Sequence, residues 1–280
     1  MSSSDICWLI HETLLRRALP TKRPNLAEAA EASGHRCSVV NHTALKPLDD
    51  PVFGEGECVV AWGSVQFIKH VERRFPGRWT PGFYARMDNL SYAAFGAHYG
   101  DLMMNDDFVI MPFAEFVRRN ANSGRDHFIR PNRVTKAFTG LVVKADDFDH
   151  EVNSLRRLSN VNDDELVVVA APKIILGEAR FIICGNEVVT GSTYGWDRTL
   201  DVRSDVHPSC REVADEVAKR DWKPDTVFTC DVALAEIDGK SVARLLELNA
   251  FSCSGLYACD TSAIIDAVGN AARREHSGDV

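Results

Sequence analysis

The sequence predicts an α/β protein whose C-terminal part is α+β in character, and three observations carry that expectation. The first hundred residues alternate short apolar strands with helical segments, the order of a small parallel sheet. A block of short strands around one helix follows Gly124. The last third carries hairpin signals, which fit antiparallel pairing. At 280 residues the chain has room for two domains of about 150 residues or one large one. The pattern divides it into an N-terminal unit over 1–124, a small subdomain over 125–173 and a C-terminal subdomain over 174–280.

In the first unit, Ile6 to Ile10, Cys37 to Val40 and Cys58 to Trp62 read as strands. A helix is expected from Asn25 to Ser33, between Pro24 and Gly34, and another from Ser64 to Phe75, where Val65, Ile68 and Val71 share a face. Gly63-Ser64 at that strand-to-helix junction suits a plain turn better than an anion site. Residues 82–122 read as mainly helical. In the second unit Phe128 to Arg130 and Thr139 to Val143 are strands, Glu151 to Leu158 a helix, and Glu165 to Ala171 a buried strand closed by Pro172. In the third, Gly185-Asn186 marks a hairpin, Ser209-x-x-Glu212 a capping box, and Ile264, Ile265 and Val268 the face of a last helix after Asp260.

Composition narrows the function. A net charge of −8 and a pI near 5.6 give no reason to expect a nucleic-acid partner, and the arginine doublets read as solvated helix faces. The eight cysteines show no C-x-x-C pair and no zinc-finger spacing, the usage of free thiols in a reducing cytoplasm. No apolar run approaches the ~20 residues of a membrane span, and Met1 to Asp5 lacks the basic region of a secretory signal. A cytoplasmic location is expected. The sequence is silent on oligomeric state.

The chemistry concentrates in two apolar strands joined by a turn at Asp238-Gly239. One carries Asp231, and the other ends in Glu247-x-Asn249. Burying carboxylates there costs several kcal/mol each unless a cation compensates. Two carboxylates and an amide oxygen are hard ligands suited to Mg²⁺ beside a nucleotide's phosphates. A strict two-residue turn would oppose Asp231 to Leu246 and leave Glu247 on the other face. An odd-length loop or a bulge between 231 and 247 is therefore expected.

Upstream, in order, stand Arg130-Pro131, Lys136 and Glu178-Ala179-Arg180, the last with Glu178 and Arg180 on one strand face. Each has a plainer reading alone: a strand end, a surface lysine, an exposed ion pair worth under ~1 kcal/mol. Together with the acidic hairpin they make a phosphate and metal constellation.

With these residues in this order the chain resembles the ATP-grasp superfamily, and most of all its phage and bacterial clade named for two arginines and a lysine. The resemblance covers roughly residues 125–260. It implies an ATP-grasp fold, with 125–173 as the lid, and ATP and Mg²⁺ as cofactors. Arg130, Lys136 and Arg180 would be the catalytic cations on the phosphates, Glu178 a further nucleotide-binding residue, and Asp231, Glu247 and Asn249 the magnesium ligands. Val169, Ala170 and Ala171 would form the hinge against adenine, with Lys173 also on the nucleotide. One departure is that the lid loop between Arg130 and Gly140 lacks the repeated glycines of many relatives.

The implied reaction activates a carboxylate as an acyl phosphate and joins it to an amine, the substrates being small molecules or peptides. Tyr194, Ser254, Gly255 and Tyr257 are the candidate substrate contacts, although the loop of the last three also suits a helix cap. The alternative is a non-catalytic nucleotide-binding module that controls a partner surface.

Overall fold

The computed structural model describes residues 6–17, 25–134, 137–197, 199–237 and 239–279. Four strands, β1 (Ile6–His11), β2 (Arg36–Val40), β3 (Cys58–Trp62) and β4 (Thr80–Gly82), form a parallel sheet in the order β2-β1-β3-β4. Strand β1 is buried along its whole length because both sheet faces are covered. Cys7 and Leu9 pack with Val59, Ala61 and Phe67 on one side, and Ile6, Trp8 and Ile10 with Ile264, Ile265 and Val268 on the other. The connecting helices are α1 (Glu12–Arg17), α2 (Leu26–Ala32) and α3 (Val65–Arg74). Asn25 and Glu28 build a reciprocal capping box on α2, and Ser64 caps α3 through the Phe67 amide.

Residues 82–122 contain helix α4 (Tyr92–Tyr99), short 3₁₀ turns, a strand β5 (Val109–Pro112) and helix α5 (Phe113–Asn120). The strand corrects the mainly helical expectation. Four apolar residues running directly into a helix carry no periodicity of their own, and only pairing with a partner strand makes them β. That partner is the second sheet, ordered β5-β8-β6-β7 and antiparallel throughout. It takes in β6 (His127–Pro131), β7 (Leu141–Val143) and β8 (Leu166–Ala170), with helix α6 (Phe148–Leu158). Phe113 and Phe116 of α5 share its core with Ile129, Phe148 and Val167. The sheet thus begins near residue 109, upstream of the boundary expected at 125.

The third sheet is a five-stranded antiparallel array, β11-β10-β9-β12-β13. Its strands are β9 (Ile174–Cys184), β10 (Glu187–Trp196), β11 (Thr199–Arg203), β12 (Val227–Ile237) and β13 (Lys240–Ala250). Gly185-Asn186 makes the two-residue β9–β10 turn, with Gly185 at φ 59°, where a side chain is disfavoured. Helix α7 (Pro208–Lys219) packs on one face through Ala214 and Val217 against Phe181, Phe228 and Cys230. It starts on Pro208, with His207 before it and no side-chain cap, so the capping box expected at Ser209 does not form. Proline at the first helical position has its φ already set and no N–H to satisfy. Helix α8 (Thr261–Ser277), capped by Asp260, lies across the first sheet. Among the described residues no helix is long and apolar enough to cross a membrane.

Asp225, just before β12, ties the units together. Its carboxylate accepts from the Arg86 and Thr226 amides at 3.1 and 2.9 Å. Burial pushes its pKa up to about 6 from 3.8, against the pull of those amides and the Arg86 charge. The native state thus holds a proton that the unfolded chain releases. The matching stability is full below pH ~4 and is lost as pH rises through ~6. Asp225→Asn should lose about 1–3 kcal/mol less than wild type between pH 4 and pH 7. Urea denaturation of both proteins across that range measures the difference.

Candidate active site

The turn between β12 and β13 sets Ile237 opposite Lys240, a two-residue register that would bring Leu246 against Asp231. The register shifts before it gets there. Val232 faces Leu245 but Asp231 faces Glu247, so Leu246 is the extra residue of a bulge. The parity change expected between 231 and 247 is made at this bulge (Asp238 itself lies outside the described residues). Neighbouring strands continue the row, with Arg180 of β9 opposite Asp231 and Ser192 of β10 opposite Arg180. Residues directly opposite share a face, so Arg180, Asp231 and Glu247 project together, while Phe181, Cys230 and Leu248 fill the core behind.

Arg180 grips Asp231 in a bidentate pair, Nε to Oδ1 at 2.7 Å and Nη2 to Oδ2 at 2.6 Å. The side chains are 10% and 1% exposed, so the pair is buried. The remaining guanidinium nitrogen, Nη1, donates to the Gly255 carbonyl at 3.0 Å. Burial pushes the Asp231 pKa up to about 6, with Arg180 opposing and Glu247 adding to the rise. Burial also works against the Arg180 charge, but Asp231 outweighs it and holds the guanidinium above its ordinary value. Tyr194 and Tyr257 stack at 4.7 Å beside it, with Arg180 Cζ 5.8 and 5.1 Å from their ring centres. Tyr194 donates to Glu178 Oε2 at 2.5 Å. Burial and the neighbouring carboxylates push its phenol well above the usual value, so it remains a neutral donor.

The second cation comes from the other sheet. Arg130 of β6 reaches across to Glu247 Oε2 at 2.6 Å, both side chains mostly buried, and its Cζ lies 5.4 Å from the Tyr92 ring centre. Asn249 Nδ2 donates to Glu247 Oε1 at 2.8 Å and to Asp231 Oδ2 at 3.3 Å, which places the amide between the two carboxylates. Between the sheets is a 380 Å³ cleft. Arg130, Phe138 and Gly140 line it from the small sheet; Lys173, Glu178, Tyr194 and Glu247 line it from the large one. Among the described residues no group of three or more His, Cys, Asp or Glu side chains is arranged to hold a metal; the candidate donor set is two carboxylates and one amide.

The structure therefore brings Arg130, Lys173, Glu178, Tyr194 and Glu247 to one cleft, with Arg180, Asp231 and Asn249 directly behind them. Lys136 lies outside the described residues. Val169 and Ala170 sit in the ladder of β8, opposite Ile129 and Phe128, and do not line the cleft. The Ala171 amide is taken by Asp107 Oδ2 at 3.0 Å. Ser254 is buried, its hydroxyl on the Ala250 carbonyl, while Gly255 supplies the carbonyl under Arg180 and Tyr257 the stacked ring.

Residues 92–268 match family 3 of the ATP-grasp domains in the clade named for two arginines and a lysine. The chain belongs to that family. No curated protein sequence matches it. ATP-grasp structures share its fold at low identity. The ligase PsnB complexed with minimal precursor superposes with a TM-score of 0.62 at 15% identity, covering 96% of this chain and 99% of PsnB. D-cycloserine synthetase DcsG gives 0.60 at 14%, covering 95% and 99%. D-alanyl-alanine synthetase A from Vibrio cholerae O1 biovar eltor str. N16961 gives 0.60 at 8%, covering 99% and 100%. PsnB has also been solved with its minimal precursor, Mg and ADP, a structure that matches at 0.56 and 14%, covering 97% and 99%.

Sequence reasoning missed part of the ATP-grasp cleft. Met104 and Asn105 line it, and Asp107 holds Lys173 at 2.9 Å. The Met104 amide donates to Leu245 O at 2.8 Å, so this loop lies against the bulge. Asn105-Asp106-Asp107 is itself a loop signal inside the stretch read as helical. Arg133 and Phe138, after β6, line it too and were likewise not singled out.

The Arg180–Asp231 pair predicts a strong coupling. Asp231→Ala leaves a buried guanidinium without its counter-charge and should cost about 3–5 kcal/mol. The double variant Arg180→Ala/Asp231→Ala should lose less than the sum of the single losses. A double-mutant cycle by chemical denaturation reads the coupling directly.

Proposed function

We propose that the protein is an ATP- and Mg²⁺-dependent ligase that activates a carboxylate as an acyl phosphate and joins it to an amine, releasing ADP and phosphate. The observation that carries this reading is the meeting of Arg130 and Arg180, from two different sheets, over one row of carboxylates at the cleft wall. Arg130 lines the cleft and Arg180 lies directly behind its wall, two permanently charged planar forks of the kind that suits a transferring phosphoryl group, whose charge is spread over several oxygens. Glu247 and Asp231 occupy those forks. A nucleotide's terminal phosphate offers the arginines the same kind of oxygen acceptor, and Lys136 would add a third cation.

The donor set fits magnesium. Asp231, Glu247 and the Asn249 amide already sit together, and turning the amide would present its oxygen where its nitrogen now donates. The ion would draw charge off the phosphates and leave the arginines to position them. Arg130 and Arg180 would then orient the phosphoryl group toward the substrate carboxylate. An oxygen of that carboxylate bonds to phosphorus as the bond to ADP breaks. The amine nitrogen next bonds to the acyl carbon, phosphate departs and the amine gives up a proton. Tyr194 and Tyr257, stacked beside Arg180, would wall the place where this happens. PsnB, solved with Mg and ADP, supports the cofactor pair, and the ligase neighbours support the reaction class.

Thermal stability with Mg-ADP tests the nucleotide site. At ~100 times its dissociation constant the ligand should add about 2.7 kcal/mol to the native state. The shift should require magnesium and should be lost in Glu247→Gln. ADP release that depends on added carboxylate and amine then identifies the ligase, whereas binding without turnover identifies a nucleotide-binding module.

A further inference from the structure

A second cavity of about 290 Å³ opens beside the nucleotide cleft, walled by β9, β10 and β11. It shares Ile175, Glu178 and Tyr194 with the cleft, so both spaces meet at one carboxylate. Its remaining walls include Leu176, Trp196 and Leu200. Trp196 is 40% and Leu200 66% exposed, a large apolar area left to water next to a charged group. The tryptophan has a built seat. A Cβ at Gly177 would come within 2.4 Å of its Cε3, so a residue without a side chain is what lets the ring lie on the β9 backbone. Arg203 steadies the ring from 5.5 Å and is itself paired with Asp201 and Asp205. Tyr194 engages Glu178 Oε2, and among the described residues nothing engages Oε1.

We infer that this cavity is the acceptor pocket, which takes a primary amine with an aliphatic or aromatic body. The inference rests on the ligase reading above and names the class of its nucleophile. Glu178 supplies the charge complement to an ammonium group and repels a carboxylate. Trp196 and Leu200 cover the apolar body, whose burial replaces their own contact with water. Position also fits the role. Tyr194 carries the Glu178 contact and lies beside Arg180, so an amine seated on Glu178 stands one side chain from the guanidinium assigned to the phosphoryl group. The carboxylate substrate has its own attraction, toward Arg130 and Arg180.

Calorimetric titration of the Mg-ADP-loaded protein tests this. The probes are 2-phenylethylamine, 3-methylbutylamine, ethanolamine, 2-phenylethanol and 3-phenylpropionate. The two apolar amines should bind wild type at least about tenfold more tightly than the other three, the size of effect that one buried apolar body gives. Glu178→Gln should remove the preference of 2-phenylethylamine over 2-phenylethanol. Gly177→Ala and Leu200→Ser should weaken the apolar amines and leave ethanolamine unchanged. A normal Mg-ADP response with no amine binding, or 3-phenylpropionate binding as tightly as 2-phenylethylamine, overturns the acceptor pocket. No Mg-ADP response in wild type overturns the ligase reading instead.

Discussion

A guanidinium and a carboxylate withdrawn from water together shape everything around them. Arg180 and Asp231 cannot be buried singly, since either one alone carries an uncompensated charge into a dry interior. Their pairing requires β9 and β12 to be neighbours in the observed register. It also draws the Gly255 carbonyl inward, which fixes the loop after β13 and sets Tyr257 on Tyr194. Sheet order, the loop after β13 and the Tyr194–Tyr257 stack thus share one electrostatic origin.

The bulge at Leu246 extends this row to Glu247 and through it to β6 of the second sheet. Without it Glu247 would point into the face that Leu248 and Cys230 fill. With it, the carboxylate stands at the cleft wall, where Arg130 arrives from a different sheet. The two sheets are then tied by a charged contact as well as by packing.

What the sequence could show followed from strand periodicity. Glu178 with Arg180, and Glu247 with Asn249, are two apart and had to share faces. Facing Asp231 with Glu247 demanded a parity change, so a bulge was foreseeable although its position was not. The continuous apolar runs of β1 and β3 marked a sheet buried on both sides. Other features depend on contacts between distant segments. Nothing local says that Arg130 would choose Glu247, or that Asp107 would close on Lys173 and the Ala171 amide. Strand β5 is four residues long and leads straight into a helix, so its identity comes from β8. At α7 two local signals competed, and Pro208 prevailed over the Ser209 box because its backbone is already helical.

The pairing of each carboxylate with its own arginine, Asp231 with Arg180 within the sheet and Glu247 with Arg130 across the cleft, bears on how such a site changes in evolution. Replacing Asp231 strands Arg180, and replacing Arg180 strands Asp231; Glu247 and Arg130 stand in the same relation less severely, because water reaches them. Descendants that abandon the chemistry would have to cross a valley of poorly folding intermediates or exchange both partners at once. The residues free to drift are those the fold does not need, such as Leu200 at the exposed rim. Single substitutions are open there, while the four charged side chains change only in pairs.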